Sequence, residues 1–204
     1  MNASIFMERI SSKGLAEPII KIVDTEDLVG VVLRFHLLTE LLIDSWICAK
    51  TSCAGLFGTE DDDRLIIECS NKIKMAENLG LPKEICSLVR KINKVRNDFA
   101  HRMNPDEIQK NHMSGLITLT KNLSQTIPDM DLTKEQGRFR DKNGNVICEI
   151  GIDDDTDHDK YKLLIMFYVL LRAFTNNVSS THIGKWNRYY DGFEYNMTFG
   201  GNKP

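Results

Sequence analysis

Apolar residues recur at helical spacing along most of the chain. Leu28, Val31, Val32, Phe35, Leu38, Leu42 and Trp46, advanced by about 100° per residue, cover well over half of a helix circumference. The pattern predicts a central, buried helix that starts at a cap on Asp24 or Thr25 and runs to about Lys50. A Gly-containing acidic loop, CAGLFGTEDDD, follows. The next predicted helix spans Asp62 to Leu79; it opens on acids, as the dipole prefers, and stops at Gly80. Pro82 opens a third helix, Lys83 to His101, with the stripe Ile85, Leu88, Val89, Ile92, Val95 and Phe99. Asn104-Pro105 closes it and caps a fourth, which carries Ile108, Leu116, Leu119 and Leu123; Pro128 ends the block. Four helices on short connections predict an up-and-down bundle.

Beyond Pro128 the period changes. Arg138–Asp141 and Val146–Ile150 flank Lys142-Asn143-Gly144-Asn145, and an Asn-Gly pair between short alternating runs predicts a β-hairpin. An Asp-rich stretch, Asp153 to Asp159, leads into a last helix from Lys160 to Asn176. The tail, Ser179 to Pro204, is rich in Gly, Asn and aromatics. The expected architecture is an all-α bundle over residues 1–127. Residues 128–204 supply a small hairpin, a C-terminal helix and an aromatic arm that packs on the bundle.

Composition narrows the function classes. The 204 residues are 42% hydrophobic and 27% charged, which suits a folded domain rather than a disordered one. The net charge of −3 excludes a globally basic nucleic-acid binder, so any phosphate site must be a local patch. The five cysteines are odd in number and none are spaced by two residues, which argues against a disulfide framework and a Cys-based zinc site. The N-terminus lacks an apolar signal core. The longest apolar run, Leu163–Leu171, is shorter than the roughly 20 residues of a membrane span. The expectation is a soluble protein of a reducing cytoplasm.

The chemistry concentrates on the third helix. With Ile85 at zero, its apolar stripe falls between about 280° and 40°. Arg96 lands at about 20°, inside that stripe, and Asn93, Asn97, Arg90 and His101 follow at about 80°, 120°, 140° and 160°. Residues 83–102 hold Lys83, Arg90, Lys91, Lys94, Arg96 and Arg102 against Glu84 and Asp98, a local charge of +4. A guanidinium at a core edge is costly without a partner. Arg96 is therefore either half of a structural ion pair, with Glu40 the candidate, or a phosphate ligand. His101 is either a helix C-cap or a proton carrier.

The hexad Arg96-Asn97-Asp98-Phe99-Ala100-His101 resembles the signature of the HEPN superfamily. The run Phe35-His36-Leu37-Leu38-Thr39-Glu40-Leu41-Leu42-Ile43-Asp44, with Arg90-Lys91-Ile92 leading into the hexad, resembles more specifically the mannitol operon repressor-like branch of that fold. The likeness covers residues 25–125. It implies a homodimer whose two Arg/His motifs face one cleft, and a metal-independent endoribonuclease without a cofactor. His101 would take the proton from a ribose 2′-OH or protonate the leaving 5′-oxygen, and Arg96 would stabilise the pentacoordinate phosphate. Asn97 would hold the phosphate or orient His101. Arg90, Asn93, Lys94 and Arg102 would line the substrate, while His36, Glu40 and Asp44 would support the site. Arg102-Met103 follow His101 where HEPN toxins encoded beside small nucleotidyltransferases carry a Tyr two residues after the His. A Tyr-modification switch is therefore not implied. The expected role is a bacterial toxin or abortive-infection effector.

A second reading is a non-catalytic repressor-like regulator, interaction module, antitoxin or immunity subunit, whose partner is a cognate protein regulator or phage protein. Other features carry less. His36 and Glu40, four apart, suit a satisfied core pair. Asp153, Asp155 and Asp157 mimic the opening of a calcium loop, but His158 stands where the Gly belongs and Leu164 where the Glu belongs. No metal site is expected. The tail aromatics, Trp186 to Phe199 with Lys185 and Arg188 among them, suit packing better than base stacking.

Overall fold

The computed structural model describes residues 1–58, 65–101, 107–140, 144–155 and 158–181. The predicted all-α bundle with one small hairpin is what the chain forms. Two N-terminal helices, α1 (Ala3–Arg9) and α2 (Ser12–Asp24), precede the predicted elements. Asn2 caps α1 by accepting from the Ile5 N–H at 3.4 Å. Phe6 and Ile22 are fully buried.

The long helix α3 (Leu28–Thr51) starts later than expected. Its cap is Asp27, whose carboxylate accepts from the Val29 and Gly30 N–H groups at 3.1 and 3.0 Å; two orphan donors satisfied at once fix the start there rather than at Asp24 or Thr25. Val32, Phe35, Leu38, Leu42 and Trp46 are all buried, as the wide apolar arc requires. α4 (Cys69–Asn78) is shorter than the predicted helix. The Leu65 N–H bonds the Phe57 carbonyl at 3.1 Å, so the chain ahead of Glu68 is held against the preceding turn and is not helical. The predicted start at Asp62 lies outside the described residues.

α5 (Lys83–Ala100) matches its stripe: Ile85, Leu88, Val89, Ile92, Val95 and Phe99 are buried. α6 (Lys110–Ser124) begins beyond Asn104. Residues 107–109 are not helical, and Asn104-Pro105 lies outside the described residues. Strands β1 (Gly137–Arg140) and β2 (Val146–Ile150) pair antiparallel, Gly137 opposite Ile150 and Arg138 opposite Glu149, with a register shift between Phe139 and Arg140. Arg138 clasps Glu149 through two hydrogen bonds of 3.0 and 3.1 Å. Phe139 packs on Tyr161 with the rings tilted by 37° and centroids 4.7 Å apart, which seats the hairpin on the last helix.

That helix, α7 (Asp159–Thr181), is longer than predicted at its C-terminal end. It packs against α3 and α6 and also touches α1, α2 and α5. Phe174 stacks on Phe6 with centroids 6.5 Å apart, and the Trp46 indole N–H donates to Asn177 Oδ1 at 2.8 Å. By length and composition α7 could cross a membrane, but 56% of its most apolar window is buried inside the bundle, as in the core helix of a globular domain. One apolar core runs from Ala3 to Val178. Each fully buried Leu, Ile or Phe in it contributes roughly 1.5–3 kcal/mol. The predicted aromatic arm lies outside the described residues.

Candidate functional site

The last turn of α5 carries the hexad. Arg96 is half-buried at the margin of the apolar stripe. Among the described residues its guanidinium makes one hydrogen bond, from Nη1 to Asn97 Oδ1 at 2.8 Å. Asn97 is exposed and so is His101, whose backbone N–H closes the helix on the Phe99 carbonyl. No hydrogen bond joins His101 to Arg96 among the described residues. The two lie about 140° apart around the axis. Lys94 is exposed beside them, and Arg102 lies outside the described residues.

Beneath this turn, three helices meet on a polar network. His36 of α3 is only 3% exposed, yet its Nε2 lies 3.1 Å from Asn93 Oδ1 and its Nδ1 lies 3.7 Å from Glu40 Oε2. Lys72 of α4 is buried between two carboxylates and donates to Glu40 Oε1 and Asp44 Oδ2, both at 2.9 Å. The spacing is simple. His36, Glu40 and Asp44 follow at i, i+4 and i+8 along one strip of α3, and Lys72 reaches the last two from the neighbouring helix.

Burial fixes the charge states. Burial of the imidazole holds His36 below its usual range, against the pull of Glu40 and Asn93; the cations Arg96 and Lys72 press the same way as burial. Burial opposes the Lys72 charge, but hydrogen bonds to Asp44 and Glu40 outweigh it and raise the ammonium above its ordinary value. Burial, reinforced by Glu40, pushes the Cys69 thiol up to about 12, so it is no nucleophile at neutral pH.

Asp98, the acid inside the hexad, faces α6. Its Oδ2 lies 2.7 Å from His112 Nε2, and Lys91 Nζ lies 3.2 Å from His112 Nδ1. A lysine ammonium only donates, so Nδ1 accepts and Nε2–H donates to Asp98. Arg90 pairs with Glu77 of α4.

The structure thus brings His36, Glu40, Asp44 and Asn93 into one network and places Arg96 near it. The ion pair considered for Arg96 with Glu40 is replaced by one between Glu40 and Lys72. The polar strip of α5 is also less in want of a partner surface than its sequence suggests, because Asn93 and Arg90 find partners within the chain. Sequence reasoning gave no place in the site to Lys72, Cys69 and His112, and counted Lys91 only in the local charge and the motif run without its His112 partner. For Lys72 the signal was present: Cys69, Lys72, Ile73 and Ala76 share one face of α4, and a lysine inside that stripe needs the same explanation as Arg96. Comparisons with protein-family models, with curated proteins and with solved structures returned no match, so the reading of this site rests on its own geometry and on the motif it carries.

Proposed function

We propose that the C-terminal turn of α5 receives a phosphodiester, and that the protein is a HEPN-type, metal-independent endoribonuclease acting as a cytoplasmic homodimer in a toxin or phage-defence role. One observation supports this above the others. Among the described residues no carboxylate pairs with Arg96, a half-buried cation: Lys72 holds Glu40 and Asp44, and Asp98, on another face of α5, holds His112. Its bond to Asn97 orients the guanidinium without neutralising it. A fixed, charged fork of donors at a helix end suits a phosphate.

The chemistry follows from those residues. A ribose 2′-oxygen attacks the adjacent phosphorus, and a His101 imidazole takes its proton. The bond to the 5′-oxygen breaks, and the His101 of the second protomer, as imidazolium, protonates it. The products are a 2′,3′-cyclic phosphate and a 5′-hydroxyl. Arg96 stabilises the charge that builds on the phosphoryl oxygens, and the need for a 2′-OH restricts the reaction to RNA. Two imidazoles, one from each protomer, let one act as base while the other acts as acid.

The test is cleavage of labelled single-stranded RNA in EDTA. The wild-type protein is expected to cut. His101→Ala should lose about 100-fold or more of the rate, and Arg96→Ala about 100- to 1,000-fold. Cleavage indifferent to both substitutions, or no cleavage in EDTA, would contradict the assignment.

A second reading has its own observation. Leu33 and Leu37, one turn apart on α3, are 38% and 63% exposed, and outward aliphatic side chains on one helix face suit a protein partner. A non-catalytic regulator, antitoxin or immunity subunit would bind through that face. It would bind its partner equally well with His101→Ala.

A further inference from the structure

The lysine that sequence reasoning passed over explains why Arg96 has no acid. Arg96 and the Glu40–Asp44–Lys72 cluster act on the same neighbour, His36. Asn93, one turn before Arg96 on α5, lies 3.1 Å from His36 Nε2, and His36 Nδ1 lies 3.7 Å from Glu40 Oε2; the arginine and Lys72 both depress His36, in keeping with that placement. Glu40 thus shares its surroundings with two cations, and the pairing settles on Lys72, at 2.9 Å, with Asp44 at the same distance. Lys72 is the more deeply buried of the two cations, with its side chain 7% exposed. Without either carboxylate its charge would be costly to hold there. The arginine sits at the rim, where water and the Asn97 carbonyl are sufficient.

We propose that Lys72 is the positioning residue of the α5 site: by occupying Glu40 and Asp44 it denies Arg96 an internal counter-ion and keeps the guanidinium for an external anion. This rests on the reading that Arg96 binds RNA phosphate. Remove the lysine charge and Glu40, a partly buried carboxylate with its side chain 22% exposed, loses its cation. The Arg96 side chain then leaves Asn97 and turns inward to meet Glu40. Remove the carboxylates as well and nothing remains to capture it.

The experiment measures binding of a short fluorescein-labelled single-stranded RNA by anisotropy, with folding verified by circular dichroism. Lys72→Met should weaken binding by about tenfold, the value of a lost charge-assisted contact. Glu40→Gln, which leaves Lys72 paired with Asp44, should bind as tightly as wild type or tighter. The triple variant Lys72→Met/Glu40→Gln/Asp44→Asn, which buries no unpaired charge, should recover wild-type affinity to within about threefold. If Lys72→Met fails to fold, the triple variant and Glu40→Gln decide. Wild-type affinity in folded Lys72→Met, a triple variant with lost affinity, or weakened binding in Glu40→Gln overturns the proposal. Arg96→Ala separates the two levels. If it binds RNA as wild type does, the RNA site itself falls and this role with it; if it binds weakly while Lys72→Met does not, only the role of Lys72 falls.

Discussion

Glu40 and Asp44 are held by Lys72, and His36 by Asn93 and Glu40, so these polar side chains form one network, with Asp44 Oδ1 left buried and without a hydrogen-bond partner. His36 is the imidazole of that network. Burial keeps the folded-state pKa below the ordinary 6.5 of an unfolded histidine. Below that pH the unfolded chain binds a proton that the folded chain refuses, so His36 makes the protein lose stability as pH falls from neutral, until the folded imidazole itself titrates. One such proton gives a slope of up to about 1.4 kcal/mol per pH unit. Urea unfolding of wild type and His36→Gln between about pH 5 and 8, a window that spans the ordinary histidine value, should show a shallower loss toward low pH in the variant. Equal slopes would show that His36 does not hold this depressed pKa. At this scale Arg96 was legible because a cation inside a strong six-membered apolar stripe stands out. The signal for Lys72 was weaker, because α4 is short and polar and its stripe is only Cys69, Ile73 and Ala76.

The elements repeat that pattern. α3 and α5 were legible because their apolar periods run unbroken over many turns. α1 and α2 were not: their buried residues, Phe6, Ile10, Leu15 and Ile22, are interrupted by Ser11-Ser12-Lys13-Gly14 and by Pro18, which break any period a window can see. The join of α5 to α6 was also hidden, since it depends on Lys91, Asp98 and His112 from two helices. Asp98→Ala removes an acceptor from the buried His112 Nε2–H and should cost about 1–2 kcal/mol in urea unfolding. The same substitution should leave Arg96 in place, because that guanidinium bonds Asn97 and not Asp98. A loss near zero would mean the Asp98–His112 contact contributes nothing net.

Over the whole molecule, the core joins both halves of the sequence. α7, read from its sequence as an addition to a four-helix block, lies against α3 and α6 with Val169, Leu170, Phe174 and Val178 all buried. The whole chain carries a net charge of −3. An approaching nucleic acid therefore gains little from the global field, and its phosphate must be held locally. The claim on which the account turns is that Arg96 is the residue that holds it. The most direct measurement is a titration of short single-stranded RNA into labelled protein, followed through the arginine Nε–Hε resonances, with the Arg96 signal assigned by its absence in Arg96→Lys. The account predicts a saturable shift of the Arg96 resonance, with the Arg138 resonance unmoved. An Arg96 signal that stays fixed while RNA binds elsewhere, or while none binds at all, would contradict it.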